Sequence, residues 1–165
     1  MSKIEAGKYE LNIEKFNISK VIRMAAHMME GRAVDAGIKI ISEIPDDNLD
    51  VIADRRAVMQ MVLNLLSNAV KFSHKNGRIK MALSKGKENI RIDIEDQGIG
   101  IPANKLANIT MPFEQAETDY TREYEGSGLG LAITKELAEI HGGSLQIESQ
   151  IDVGTKVTIR LPYKV

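Results

Sequence analysis

At 165 residues, with 43% hydrophobic and 27% charged side chains, the chain has the length and composition of one soluble globular domain. Its 22 Lys and Arg are balanced by 23 Asp and Glu, so no net field recruits nucleic acid or an anionic membrane surface. The absence of cysteine removes disulfides, thiol nucleophiles and thiolate metal sites, and no apolar run approaches the roughly 18 residues of a membrane span or forms a signal-peptide core.

Residues 1–10, MSKIEAGKYE, are charged, lack an apolar face and read as the end of something longer. Residues 9–16 alternate Leu11 and Ile13 with Asn12 and Glu14, the period of a half-buried strand. Asn17 or Ser19 is placed to cap a helix reaching about Ala36, with Val21, Ile22, Ala25, Met28, Met29 and Ala33 as its apolar face and Gly37 as its stop. A second strand over 38–44 closes on the turn residues Pro45, Asp46, Asp47 and Asn48, and a short third covers 49–53.

Asp54 is a suitable N-cap for the next helix, which runs to about Phe72. At about 100° per residue, Asn64, Ser67, Asn68 and Lys71 share one stripe. Met61, Val62, Leu63, Leu65, Leu66, Ala69 and Val70 fill most of the remaining circumference. A helix this apolar is largely buried, so two carboxamides within it suggest a polar cavity. The competing account is a solvated edge on an ordinary core helix.

Asn76 and Gly77 turn the chain into two strands, 78–84 and 89–96, readable as a hairpin. The second ends on Asp96, Gln97, Gly98, Ile99, Gly100 and Ile101, where glycines permit sharp turning and close approach to a ligand. A carboxylate at Asp96 can accept from an exocyclic amine such as that of adenine, or can simply turn the chain. Residues 103–109 read as a short helix, and 110–127 show no period, as in a functional lid or a disordered loop.

Gly126, Gly128, Leu129 and Gly130 close that loop and open a helix carrying Leu131, Ile133, Leu137 and Ile140, stopped at Gly142 and Gly143. Free N–H groups and the helix dipole make its start a place for an anion; a glycine hinge is the alternative. Neither the P-loop nor the dinucleotide fingerprint is present. Two strands, 144–151 and 155–161, finish the chain. His27, His74 and His141 lack metal-ligand spacing and read as surface or interhelix packing. A hard Mg²⁺ riding on phosphates is different, since the carboxamide oxygens of Asn64 and Asn68 suit it. The element order predicts an α/β two-layer sandwich, a mixed sheet with about three helices on one face.

Taken together, NLLSNAVKFS at 64–73, DQGIGI at 96–101, PFEQ at 112–115 and GSGLGLAI at 126–133 resemble the N, G1, F and G2 boxes of the catalytic and ATP-binding domain of bacterial sensor histidine kinases. The match holds in order and spacing over nearly the whole chain. It implies the Bergerat fold shared with gyrase, Hsp90 and MutL. Residues 1–8 would then end a dimerisation helix, 9–165 would form the catalytic domain, and about 103–127 would be the ATP lid.

By the same resemblance Asp96 would hold the adenine amine with help from Thr155, and Gly98, Gly100 and Ile101 would shape the adenine pocket. Asn64 and Asn68 would meet Mg²⁺ and the phosphates, Lys71 would reach a phosphate, and Phe72 stands where the family has Tyr or Phe. Gly126, Gly128, Leu129, Gly130 and Leu131 would form the phosphate side, Phe113 would anchor the lid by packing, and Arg122 is the candidate for the γ-phosphate.

In the water-splitting relatives the position matching Asn64 is a glutamate, and a carboxamide is not a useful general base. Asn64 therefore points to a nucleophile arriving from elsewhere; the resemblance implies that it is a histidine in a phospho-acceptor box, and no such box stands in these 165 residues, since His27 is followed by Met28, Met29, Glu30 and Gly31. The resemblance therefore implies a kinase domain working on its own dimerisation domain in a homodimer, with a response regulator downstream, in the bacterial cytoplasm or beneath a membrane-anchored parent. The alternatives are a nucleotide-binding docking module without transfer activity and, disfavoured by Asn64, a serine-directed kinase.

Overall fold

The computed structural model describes residues 9–45, 49–113 and 128–165. Strand β1 (Ile13–Asn17) leads into helix α1 (Ile18–Asp35), followed by β2 (Lys39–Glu43), β3 (Asp50–Asp54) and helix α2 (Arg55–Phe72). Then come β4 (Arg78–Lys85), β5 (Asn89–Asp96), the single-turn α3 (Ala103–Leu106), α4 (Gly130–Ile140), β6 (Ser144–Gln150) and β7 (Gly154–Pro162). The main sheet has five strands in the order β2-β4-β5-β7-β6, with β1 and β3 forming a separate two-stranded ribbon. In this sheet β2 and β4 run parallel, and the β4–β5, β5–β7 and β6–β7 pairs are antiparallel. The expected mixed α/β sandwich is what these elements build, with α1, α2 and α4 as its substantial helices.

Alternation dictates which face of the sheet is covered. Ile79, Met81 and Leu83 of β4, Ile90, Ile92 and Ile94 of β5, and Val157, Ile159 and Leu161 of β7 point one way and are buried. They meet Met61, Val62, Leu65, Leu66 and Ala69 of α2 and Ile18, Val21, Ile22 and Ala25 of α1 in one core. Each such fully buried aliphatic side chain contributes about 1.5–3 kcal/mol relative to exposure. Polar residues between them, such as Arg91 and Asp93, form ion pairs on the opposite face.

The caps are set by local chemistry. Asn17 begins α1 by accepting from the Lys20 N–H at 2.9 Å, and Gly37 ends it in the left-handed region at φ +69°. Asp54 begins α2 by accepting from Arg56 and Ala57 at 2.9 and 3.0 Å.

Several expectations shift. The first strand starts at Ile13 rather than residue 9, and Ile13 is exposed because β1 pairs only with β3 and lies outside the main sheet. Met28, placed on the apolar face of α1, is exposed, lying about 100° round the helix from buried Met29. Ile140 is likewise partly exposed at the end of α4. Phe113, expected to anchor by packing, is 69% exposed, whereas Ile109 four positions earlier is buried.

Candidate nucleotide site

The polar stripe of α2 becomes a wall because three other segments are bonded to that helix or to each other. The last turn of α2 receives the loop after β5: the Ile99 N–H donates to Phe72 O at 3.1 Å, the His74 N–H donates to Gln97 O at 3.0 Å, and Ser73 bridges to Gly98. This approach demands glycine, since a Cβ at Gly98 would fall 2.1 Å from Phe72 O. Asp96 is thereby fixed beside the C-terminal end of α2.

Asp96 is pinned from the other side by β7. The Thr155 backbone N–H donates to Asp96 Oδ1 at 3.3 Å. Burial pushes the carboxyl up from 3.8 to about 6, while backbone hydrogen bonds from Thr155 and Gly98 pull the other way. Gly154 presses its backbone on the Asp96 carbonyl; a Cβ there would sit 2.0 Å from Asp96 O at φ +139°. Gly154→Ala is therefore expected to cost about 1–3 kcal/mol of stability, read as a lowered denaturation midpoint in urea; an unchanged midpoint would contradict this close packing.

A third brace comes from β6. Ser149 Oγ accepts the Ile101 N–H at 2.8 Å, donates to Gly154 O at 3.0 Å and lies 2.8 Å from Thr155 Oγ1. Gly100, at φ +69°, comes so close to β6 that a Cβ would fall 2.1 Å from Gln150 O. Ser149 and Gly154 were not legible in the sequence, because their role depends on the Ser149↔Thr155 and Gln150↔Gly154 pairing of β6 with β7.

At the other end of the stripe, α2 meets the start of α4. Asn64 Nδ2 lies 3.3 Å from Gly130 O and 3.4 Å from Thr134 Oγ1, and the Thr134 hydroxyl itself donates to Gly130 O at 2.7 Å. Because both neighbours act as acceptors, the amide must offer its NH₂ to α4, which turns Oδ1 away from that helix. Asn68 flanks the same spot: a Cβ on Gly130 would lie 3.8 Å from Asn68 Nδ2. Leu129 precedes the helix, and Leu131 packs its side chain partly against the core. Gly128 adopts φ +66°, a left-handed turn into α4.

Lys71 and Phe72 form the last turn of α2, at the Asp96 end of the stripe. The Lys71 ammonium stands 4.9 Å from the Phe72 ring centroid, and burial lowers its pKa. From Asn64 to Phe72 the helix rises about 12 Å, so a carboxylate at one end and two carboxamides with a helix N-terminus at the other are separated on the scale of a nucleotide. Arg122 and Gly126 lie outside the described residues, as does most of the expected lid.

The family described as histidine kinase-, DNA gyrase B- and HSP90-like ATPase matches residues 53–165, from the end of β3 through α2, the glycine turns and β7. The chain belongs to this family. Within it, the chain is 39% identical over 162 residues, 98% of its own length, to an uncharacterized sensor-like histidine kinase of Rhizobium meliloti, of which the match covers 31%. The chain thus spans less than a third of that relative. The nucleotide-free catalytic domain of histidine kinase ThkA superposes with TM-score 0.81 at 27% identity, covering 93% of this chain and 97% of that one. Full-length ShkA in complex with AMPPNP gives 0.83 at 28% identity, covering 98% and 33%. ThkA in complex with the response regulator protein TrrA gives 0.77 at 26% identity, covering 98% and 45%. For this ATPase-like family member, no described helix is long and apolar enough to cross a membrane.

Proposed function

We propose that the chain is the catalytic and ATP-binding domain of a two-component sensor histidine kinase, which binds Mg-ATP and passes the γ-phosphoryl group to a histidine on a separate dimerisation domain. The observation that carries this reading is the single wall of α2, with half-buried Asp96 docked at one end and Asn64 and Asn68 against the start of α4 at the other. Residues 9–165 form the catalytic domain in this reading, and 1–8 the end of the dimerisation helix. Arg122 and Gly126 belong to its lid, Arg122 facing the γ-phosphate. The partners are the dimerisation domain, within a homodimer, and a response regulator, as ThkA has in its complex with TrrA; the site of action is the bacterial cytoplasm.

Each residue has a chemical task. Asp96 accepts a hydrogen bond from the adenine amine, with the Thr155 N–H fixing its orientation. Gly98, Gly100 and Ile101 let the backbone approach the base, and Phe72 packs beside it. The N-terminal N–H groups of α4, following Gly128, Leu129, Gly130 and Leu131, receive phosphate oxygens, and Lys71 adds a positive charge. The carboxamide oxygens of Asn64 and Asn68 are hard donors that would hold Mg²⁺. When held there, the ion would supply positive charge against that developing on the phosphates. In the transfer the bond from the γ-phosphorus to its bridging oxygen breaks, a bond to the incoming imidazole nitrogen forms, and ADP leaves. The protein supplies position and electrostatics. Asn64 does not deprotonate water, so ATP waits for the histidine.

Titration with a fluorescent ATP analogue tests the binding half. Saturable binding, displaced by ATP and ADP and strengthened by Mg²⁺, is expected; absence of binding would remove the reading.

The pH dependence follows from Asp96. The carboxylate form is the one that accepts from adenine, so the free site loses competence as pH falls through about 6. Affinity is expected to drop roughly tenfold between pH 7.5 and pH 5. Fold stability responds with the opposite sign: the unfolded group titrates near 3.8, so the cost of holding it ionised is full above about pH 6 and disappears as pH falls toward 4. Binding that is flat over this range would take Asp96 out of the adenine contact.

A further inference from the structure

His141 closes α4 and is completely buried, yet it lies at the end of that helix remote from the nucleotide wall. Both ring nitrogens are committed. Nδ1 lies 2.6 Å from Leu137 O, and Nε2 lies 3.2 Å from the Asp54 backbone nitrogen. A carbonyl only accepts and a backbone N–H only donates, so Nδ1 carries the proton and Nε2 presents its lone pair. The imidazole is thereby held in one tautomer, joining the last turn of α4 to the residue that caps α2. The Asp54 carboxylate also accepts the Asn12 N–H at 2.9 Å, tying the segment before β1 to the same joint.

The two helices are therefore fastened twice. Asn64 meets Gly130 at the phosphate end, and His141 meets Asp54 at the far end. The ties are separated by ten or eleven residues on each helix, about 15 Å of rise, so α4 runs antiparallel to α2 between them. The N-cap position of α4 is Leu129, whose side chain has no polar atom to hold the first turn. The near tie consists of two long contacts, 3.3 and 3.4 Å. The far tie, the buried Thr134, Leu137 and Ala138 and the packing of Leu131 and Ile133 against the core together determine where the first turn stands.

We propose that His141 is a positioning residue for the phosphate end of the nucleotide site, acting through α4 by its fixed bond to the α2 cap. This rests on the nucleotide reading above. His141→Phe keeps an aromatic ring but strands the buried Asp54 N–H, and the first turn of α4 loses its registration. His141→Gln restores an acceptor for that N–H. A lost tie of one hydrogen bond predicts about fivefold weaker ATP binding in His141→Phe and partial recovery in His141→Gln. Adenosine, held at the Asp96 end, binds all three proteins equally.

Calorimetric titration of ATP and adenosine into wild type and both variants separates positioning from simple loss of stability. A loss confined to ATP supports the proposal; equal losses for both ligands, or none, overturn it. Nitrogen-15 spectra of wild-type His141 are expected to show the Nδ1–H tautomer, and the Nε2–H tautomer overturns the joint even if His141→Phe fails to fold. If wild-type protein binds neither ligand, the nucleotide reading fails by itself. The joint is then decided by amide exchange at 131–134, where acceleration in the variants supports it and unchanged exchange overturns it.

Discussion

Asn68→Ala is expected to lower phosphoryl transfer to a supplied acceptor domain at least about a hundredfold while leaving the fold intact. Asn68 stands on the half-buried stripe of α2 beside Gly130, not among the core residues Leu65, Leu66 and Ala69. Truncation therefore removes no core packing and puts a better helix former in its place. What disappears is a preoriented dipole at the position where, in the proposed function, the phosphates and Mg²⁺ would meet α4. Removing one such dipole from a water-poor site costs about 10² to 10³ in rate. The measurement is the initial rate of label transfer from γ-labelled ATP, with a thermal melt to establish that the variant is folded. A wild-type rate would remove Asn68 from the site.

The second large effect is Asp96→Asn, expected to weaken ATP binding by about 1.5–3 kcal/mol, the value of a hydrogen bond to a charged group. The geometry explains why so small a change is costly. Asp96 Oδ1 accepts the Thr155 N–H, and an asparagine keeps that bond only by leaving its oxygen there. Its NH₂ then faces the adenine amine, donor against donor. The substitution also removes the charge whose burial raises the Asp96 pKa, so the variant is expected to lose affinity without losing stability. Fluorescent-nucleotide titration reads the first effect and urea denaturation the second. Unchanged affinity would place the adenine amine elsewhere.

The helices were legible because their signals are local. Asn17 and Asp54 are caps within three residues of the N–H groups they accept, and Gly37 stops α1 in the turn it occupies. The alternation of Ile90, Ile92 and Ile94 survived intact because β5 is a central strand with one covered face. The Leu11 and Ile13 alternation misled because β1 belongs to a two-stranded ribbon, where a period of two does not imply a core on either side. Phe113 misled for a related reason: its packing was inferred from the resemblance, and the residue sits at φ +65° and is exposed.

The site divides in the same way. Asn64, Asn68, Lys71, Asp96, Gly98, Gly100, Gly128 and Gly130 were singled out by the sequence as candidates, each lying on an element whose own pattern was anomalous. Ser149, Gly154, Thr134 and His141 were not. Their contacts cross from β6 to β7, from α4 to α2, or, for His141 and Asp54, over 87 positions of sequence. A buried histidine looks the same in sequence as an exposed one; only the docking of α4 on α2 reveals that both its nitrogens are used.

The central claim is that this domain delivers phosphate to a histidine rather than to water. Its most direct test combines the chain, Mg²⁺ and γ-labelled ATP with the histidine-bearing dimerisation domain of its parent, and follows the label in both protein and free phosphate. Acid-labile label on the acceptor histidine, absent without Mg²⁺, is the predicted result. Label appearing only as inorganic phosphate, or ATP bound with no transfer to the acceptor, would contradict the account.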